Sequence, residues 1–375
     1  MSLRQSVKLS SVLAILAFYS GHSWADTWQQ DGSARIATEY DSNPTMGSQS
    51  IRVGIWRAFF EPSYKLKQLA GANELNAGIA LKVERSSDKT LSQNREDPSA
   101  FVDWLRRNDT GEFGISAKYD ETATRYTPID NIATAFADST RASSTVSGHW
   151  SKGVSEYSTL LADGAYEAVF YKGGPFINYT NQSAGLKFSQ ALSERNTLFM
   201  RVSNVSYVPT GGSVPTGVST SSQVANTTVG WEWKTAEYLG GSLQMGRLRS
   251  SAIGYGTQGV ADVTYKGQRS ELLFSAGRQI SPSGLGGFVT NDLVNGNWNY
   301  AMSELSKIGI DLVWQKSHLT TDIINSTTSA WLQNELNSFW ILRTNFLHRN
   351  IMQSGVGSVY TNVVGLTLTY THADF

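Results

Sequence analysis

Ten charged residues recur where small, polar and apolar neighbours alternate around them: Lys82, Glu84, Lys118, Asp120, Lys187, Arg201, Glu232, Lys234, Asp311 and Arg343. Such residues can do two kinds of chemistry. Opposite charges on neighbouring chains can pair into ladders. A polar surface can also hydrogen-bond a solute, with carboxylates and guanidinium groups taking hydroxyls and aromatic rings stacking on sugar faces. The mixed signs predict a neutral or weakly selective surface. For each residue alone, the ladder is the plainer reading.

Catalysis is less well served. A nucleophile needs a base within reach. Beyond the first 25 residues the histidines are His149, His318, His348 and His372. His149 and Ser147 share a strand phase, but two-apart pairs are common. The chain has no cysteine, and isolated carboxylates make no metal site. No catalytic, cofactor or metal site is predicted. Sequons such as Asn178-Tyr179-Thr180 are given little weight.

The elements that would position these charges are clearest over Tyr179 to Tyr207. Leu186 and Phe188 alternate with Gly185, Lys187 and Ser189. After the turn Ser193-Glu194-Arg195-Asn196, Leu198, Met200 and Val202 alternate with Phe199, Arg201 and Ser203. Period-two alternation around a tight turn is an antiparallel hairpin. A soluble sandwich would bury the apolar face, whereas a membrane barrel would turn it to lipid and the charged face to a watery lumen.

The N-terminus bears on the compartment. Met1 to Ala25 holds Arg4 and Lys8, a short apolar run from Leu9 to Phe18, and Ser23-Trp24-Ala25 as a small-x-small cleavage signal. Residues 1–25 are read as a signal peptide and 26–375 as the mature domain. That domain carries about two more acids than bases, which argues against nucleic acid. No later apolar run spans a bilayer as a helix. Abundant Gly, Ser, Thr, Asn and aromatics describe an exported β protein. A periplasmic or secreted β-sandwich or β-helix is the alternative.

Eighteen strands are predicted, with sixteen as the alternative count. They run from Ser33–Asp41 and Arg52–Leu66 to a last strand over Tyr360–Phe375, with Phe288–Met302 the weakest. Short connections fall near Leu69, Asp109, Gly153, Ser193, Ala236, Gly267, Glu304 and Glu335. Longer ones fall near Gly47, Ser92, Asn131, Gly174, Val214, Tyr255, Gly284, Thr320 and Gly355. Strict alternation of short periplasmic turns and longer extracellular loops is outer-membrane topology, and an even count leaves both termini periplasmic. The fold class is therefore an all-β, transmembrane antiparallel β-barrel. Lipid offers no hydrogen-bond partner, so the strands must close. Trp150, Trp233, Trp314, Tyr119 and Tyr370 near strand ends suit interfacial belts. Phe375 is out of phase with Leu366, Leu368 and Tyr370, an imperfect terminal signal for barrel assembly. The loops at 122–139 and 209–221 are long enough to fold inward.

Four segments carry a resemblance: Tyr40-Asp41-Ser42-Asn43-Pro44, Gln93 to Pro98, Leu192 to Leu198, and Ser281-Pro282-Ser283-Gly284-Leu285-Gly286. Together they resemble the β-barrel porin family associated with exopolysaccharide gene clusters, the EpsL-like outer-membrane proteins. The resemblance implies a Gram-negative outer-membrane barrel that accompanies polysaccharide export, and it implies no catalytic or binding residue. Expected partners are outer-membrane lipid, the barrel-assembly machinery, and, for export, polysaccharide and other export components. Three functions stand: export conduit, diffusion porin for small solutes, and non-conducting structural or adhesion barrel. No N-terminal plug domain is evident, which disfavours an energised siderophore transporter.

Overall fold

The computed structural model describes residues 27–46, 53–126, 139–174, 176–210, 221–251, 254–319, 321–353 and 357–373. They form one 18-stranded sheet in which each strand pairs with its sequence neighbours, and β1 pairs with β18 to close the ring. In chain order the strands are β1 (Thr27–Asp41), β2 (Ile55–Ala70), β3 (Asn73–Ser86), β4 (Arg95–Asn108), β5 (Gly111–Ala123) and β6 (Thr140–Ser155). There follow β7 (Ser158–Lys172), β8 (Tyr179–Ser193), β9 (Asn196–Pro209), β10 (Ser222–Ala236), β11 (Leu239–Ser250) and β12 (Gly254–Lys266). The last six are β13 (Ser270–Pro282), β14 (Phe288–Ala301), β15 (Ser306–His318), β16 (Ile323–Glu335), β17 (Trp340–Gln353) and β18 (Gly357–Ala373). All pairings are antiparallel, so the predicted closed barrel and its count of eighteen are what the chain forms.

The register gives the barrel its size. Followed once around the ring, it returns to β1 displaced by about 22 residues, which for 18 strands sets a tilt near 42° and a backbone radius of about 17 Å. Paired residues share a face, so one row fixes the next. Leu186 pairs with Val202 and Phe188 with Met200, and all four are exposed. The same phase continues through Val229 and Trp231 to Met245 and Leu243. These rows face outward.

At the short-turn end the outward row is aromatic. Trp104 meets Phe113 at 5.8 Å, Trp231 meets Trp233 at 5.1 Å, and Trp298 stacks on Tyr300 at 6.3 Å. Trp340 meets Tyr370 at 5.0 Å. At the other end the outward aromatics are sparser, with Tyr40 against Trp56 at 5.4 Å and Tyr255 at the start of β12. Between the two belts lies an apolar band about 21 Å tall, close to the thickness such barrels present to lipid.

Several boundaries differ from the sequence reading. The first strand begins at Thr27, because its register with β2 continues down to Leu69. The turn expected near Gly153 lies at residues 156–157, and a register shift between Gly153 and Ser155 absorbs the extra residue. The weakly patterned β14 is a full strand, because Asn295, Asn297 and Asn299 occupy inward positions that want no apolar side chain. The long loops expected near Tyr255, Thr320 and Gly355 shrink to residues 251–253, 319–322 and 354–356, no longer than the turns at the opposite end, because the strands run on to the rim. The signal-peptide reading of residues 1–25 and the phase of Phe375 lie outside the described residues.

Candidate functional site

The candidate site is the inner wall of the barrel and its mouth at the end opposite the aromatic belt. All ten charged residues singled out from the sequence lie in the phase opposite the exposed apolar rows. Lys82 and Glu84 alternate with Val83, Lys118 and Asp120 flank Tyr119, and Asp311 lies between Ile310 and Leu312. Apart from Lys118 and Asp120, two apart on one strand, their partners could not be read from spacing. Lys187 binds Glu232 of β10 at 2.7 Å and lies over the Phe199 ring at 4.1 Å. Arg201 donates to Asp163 of β7 at 2.8 Å. Lys118 pairs with its own neighbour Asp120 at 3.4 Å. Asp311 accepts from Ser329 at 2.9 Å and from Asn297. Arg343 lies 4.2 Å over the ring of Trp331. Lys82 stands 4.0 Å from Glu61, which takes Arg35 at 2.7 Å. No ion pair is found for Lys234 among the described residues.

These pairs lie along the wall instead of across it. Gly185 shows how. A Cβ there would sit 2.4 Å from Nη2 of Arg201, so only glycine lets the guanidinium lie flat against the sheet. A flattened ladder lines the lumen without filling it.

The wall is uneven around its circumference. Strands β1 to β5, with β17, carry the dense ionic network. Strands β14 to β16 turn Asn295, Asn297, Asn299, Asn325, Thr327 and Ser329 inward, so that sector is mostly amide and hydroxyl.

Two segments leave the wall at the mouth. The first follows β5, where the 3-10 turn Thr124–Tyr126 enters an ionic cluster. Arg57 there donates from Nε to Glu39 at 2.7 Å and from Nη2 to Asp41 at 2.5 Å, with 3% of its side chain exposed. Arg125 binds Glu84, whose side chain is fully buried. Arg349 of β17 donates to the carbonyl of Arg125 at 2.9 Å. Tyr126 lies beneath Lys82 at 4.3 Å and Arg125 at 4.8 Å. Charges from β2, β3 and β17 thus hold the start of a loop over the lumen.

The second segment is the tip of the β13–β14 hairpin. Strand β12 follows β13 only as far as Gly259 with Arg278, and β15 meets β14 only from Thr290 onward. Residues 279–289 therefore stand free of both neighbours, and they bend across the mouth. The backbone N–H of Ile177 donates to the carbonyl of Gly284 at 2.7 Å. Ile280 and Phe288 join Val169, Tyr171, Tyr179, Tyr207, Val224 and Leu248 in an apolar cluster. All six of those residues lie near the mouth ends of β7 to β11. Val169 and Tyr207 are fully buried, so this is a small core of the soluble kind built inside a barrel. Gly287 has φ 78°, which only glycine adopts at little cost. Asn291 anchors the hairpin base through Ser281 at 2.8 Å and Gln315 at 3.1 Å.

Sequence reasoning missed Arg57, Arg349 and the hairpin tip. Phe59 is inward and buried beneath Lys82, so β2 lacks clean alternation and hides the phase of Arg57. Arg349 was legible, since it stands six residues from Arg343 and so in the same phase. The Ser147–His149 pair does not assemble a nucleophile with its base. The ring of His149 stands 3.5 Å from Glu112, and among the described residues no hydrogen bond joins it to Ser147. Among the described residues no group of three or more His, Asp or Glu is placed to hold a metal ion.

No family model matches the sequence, nor does any curated protein. Solved structures do match. The outer membrane protein opdK from Pseudomonas aeruginosa aligns with a TM-score of 0.51 at 10% identity, over 92% of this chain and 99% of that one. OccK2 (OpdF) from the same species gives 0.51 at 10%, covering 92% and 98%. OccAB4 from Acinetobacter baumannii gives 0.50 at 10%, covering 93% and 99%. At such identity the likeness is one of fold: this chain shares the barrel architecture of these proteins along almost its whole length.

Proposed function

We propose that the protein is a diffusion porin of the Gram-negative outer membrane, passing small polar solutes through a weakly ion-selective lumen. Both termini are periplasmic in this reading, and the short turns face the periplasm. One observation carries it. The ring is about 34 Å across between backbones, a width at which barrels hold an aqueous channel, and the charged side chains lie along the wall in pairs. The two in-folded segments then narrow the mouth, the ionic one from the β2–β5 side and the apolar one from the β13–β14 side. The outer-membrane fold of the compared structures supports the same reading. No step in it requires bond chemistry.

The test is conductance of the refolded barrel in a planar bilayer, repeated with added oligosaccharide. A steady open conductance supports the porin. A barrel that stays silent even after residues 283–287 are shortened removes it.

A second reading is passage of a polysaccharide, which the resemblance to exopolysaccharide-associated barrels implies. The amide and hydroxyl sector of β14 to β16 favours it, because neutral donors and acceptors match sugar hydroxyls without binding ions. It predicts that deletion abolishes surface polysaccharide and traps polymer inside the cell, whereas the porin reading predicts slower uptake of small solutes.

A further inference from the structure

Outward charges are costly on a wall that faces lipid, least so near the interfaces. Four arginines nevertheless face outward near the mouth, and Arg85 among them is paired with Glu96 at 2.7 Å. Arg278 is neutralised by Asp292, which it grips with two hydrogen bonds of 2.6 and 2.8 Å. Arg247 and Arg249 of β11 have no such partner. They follow Leu243 and Met245 in the outward row. Among the described residues no ion pair or hydrogen bond ties either to a carboxylate, and Arg249 lies 5.7 Å over the ring of Tyr255. The outward residues around them are Asn204, Ser206, Gln223, Thr227 and Thr257, all neutral. By register, Arg247 and Arg249 lie about 8 Å and about 3 Å below the level of Tyr255 along the barrel axis. That places two unmatched cations at the upper edge of the apolar band, where a long side chain can lift its charge to the interface.

The surface beside them is hollow. Small outward side chains at Ala184 and Ala225, beside Leu186 and Val202, leave a shallow groove of about 640 Å³ that ends against the two arginines and Tyr255. An aliphatic floor leading to paired cations at an interface has the chemistry of a phosphorylated lipid, chain below and phosphate above. A second copy of this chain fits worse, because a two-fold contact here would set arginine against arginine.

Resting on the outer-membrane reading above, we infer that this groove on the outer wall holds a phosphate-bearing glycolipid of the outer leaflet. Its phosphate sits between Arg247 and Arg249, and an acyl chain lies along Ala184, Leu186 and Ala225. The barrel would thus carry a lipid site on the wall opposite its lumen, independent of what passes through the pore.

The experiment uses the full barrel refolded in phosphatidylcholine vesicles doped with a bisphosphorylated glycolipid or its dephosphorylated form. Lipid phosphorus retained per barrel after detergent extraction, and the association constant by native mass titration, are compared for wild type and R247Q/R249Q. Two interfacial arginines at about 1 kcal/mol each predict roughly 30-fold weaker association in the variant. The dephosphorylated lipid should bind both proteins equally poorly. Equal association of the phosphorylated lipid by wild type and variant overturns the site. So does full displacement by inorganic phosphate, because the chain would then contribute nothing. A dimer that R247Q/R249Q splits would assign the face to a second copy instead. A barrel that gains no protease protection in vesicles refutes the membrane reading itself, an outcome distinct from failure of the lipid site.

Discussion

Phe288→Ala tests whether the β13–β14 tip narrows the mouth. Phe288 is 8% exposed and meets Tyr207 at 6.0 Å. Burying such a ring contributes about 2–3 kcal/mol, and the tilted pair adds about 0.5–1 kcal/mol. The hairpin tip has neither β12 nor β15 beside it, so these contacts, with Ile280 and the Ile177–Gly284 bond, are what hold it down. Losing about 3 kcal/mol shifts the balance between closed and open tip by roughly a hundredfold. A tip that is closed nearly always in the wild type should then open often. Single-channel recording of the variant should show larger, flickering conductance steps, and protease should cut near residues 283–287. The barrel below is untouched, so heat-modifiable migration should stay normal. If conductance, noise and proteolysis all match wild type in a correctly folded variant, the tip does not constrict the passage.

Other outcomes follow from the same geometry. Arg57→Met leaves Glu39 and Asp41 without their shared buried cation, at a cost of about 3–5 kcal/mol; guanidinium unfolding followed by tryptophan fluorescence should show the shift, and an unchanged midpoint would remove the cluster as a structural lock. Arg201→Ala and Asp163→Ala unmatch one wall pair from opposite sides, so reversal potentials in a salt gradient should move toward cation and anion preference respectively; both side chains of the pair are about one-third exposed, so the shifts should be modest and shrink at high salt. The chain has no cysteine, which allows a clean test of facing. Asp311→Cys should react with a water-soluble maleimide in intact vesicles and Leu312→Cys should not, and the reverse pattern would invert the lumen assignment.

The fold was largely legible because a barrel writes itself locally. Leu186 and Phe188 against Gly185 and Lys187 need no distant information to read as a strand with a wet face and an apolar face. Strand ends were less legible. Beyond the apolar band the outward residues of β12 and β18 turn polar or small, as at Thr257, Ser358 and Asn362, so the alternation fades before the strands end and the loops near Tyr255 and Gly355 looked longer than they are. The ten charged positions could be phased from their neighbours, yet partners on other strands could not. Lys187 and Glu232 are separated by a whole strand, and only the register of β8 on β9 and β9 on β10 brings them together.

By itself the sequence pointed to a closed antiparallel ring of eighteen strands, with sixteen as the alternative count, and set the polarity of its two faces, while the register of the closed sheet settled the number. Period-two patterning and the need to satisfy every backbone group in lipid leave few other solutions. Only the tertiary structure decided what happens inside and above the ring. The inward bend of the β13–β14 tip depends on Phe288 finding Tyr207, and the ionic clamp on Tyr126 gathers residues from β2, β3 and β17. The unmatched pair Arg247 and Arg249 differs from Arg278 only because Asp292 happens to lie across from one and no acid lies across from the others. Such differences arise between strands, where the pattern along any one of them is silent.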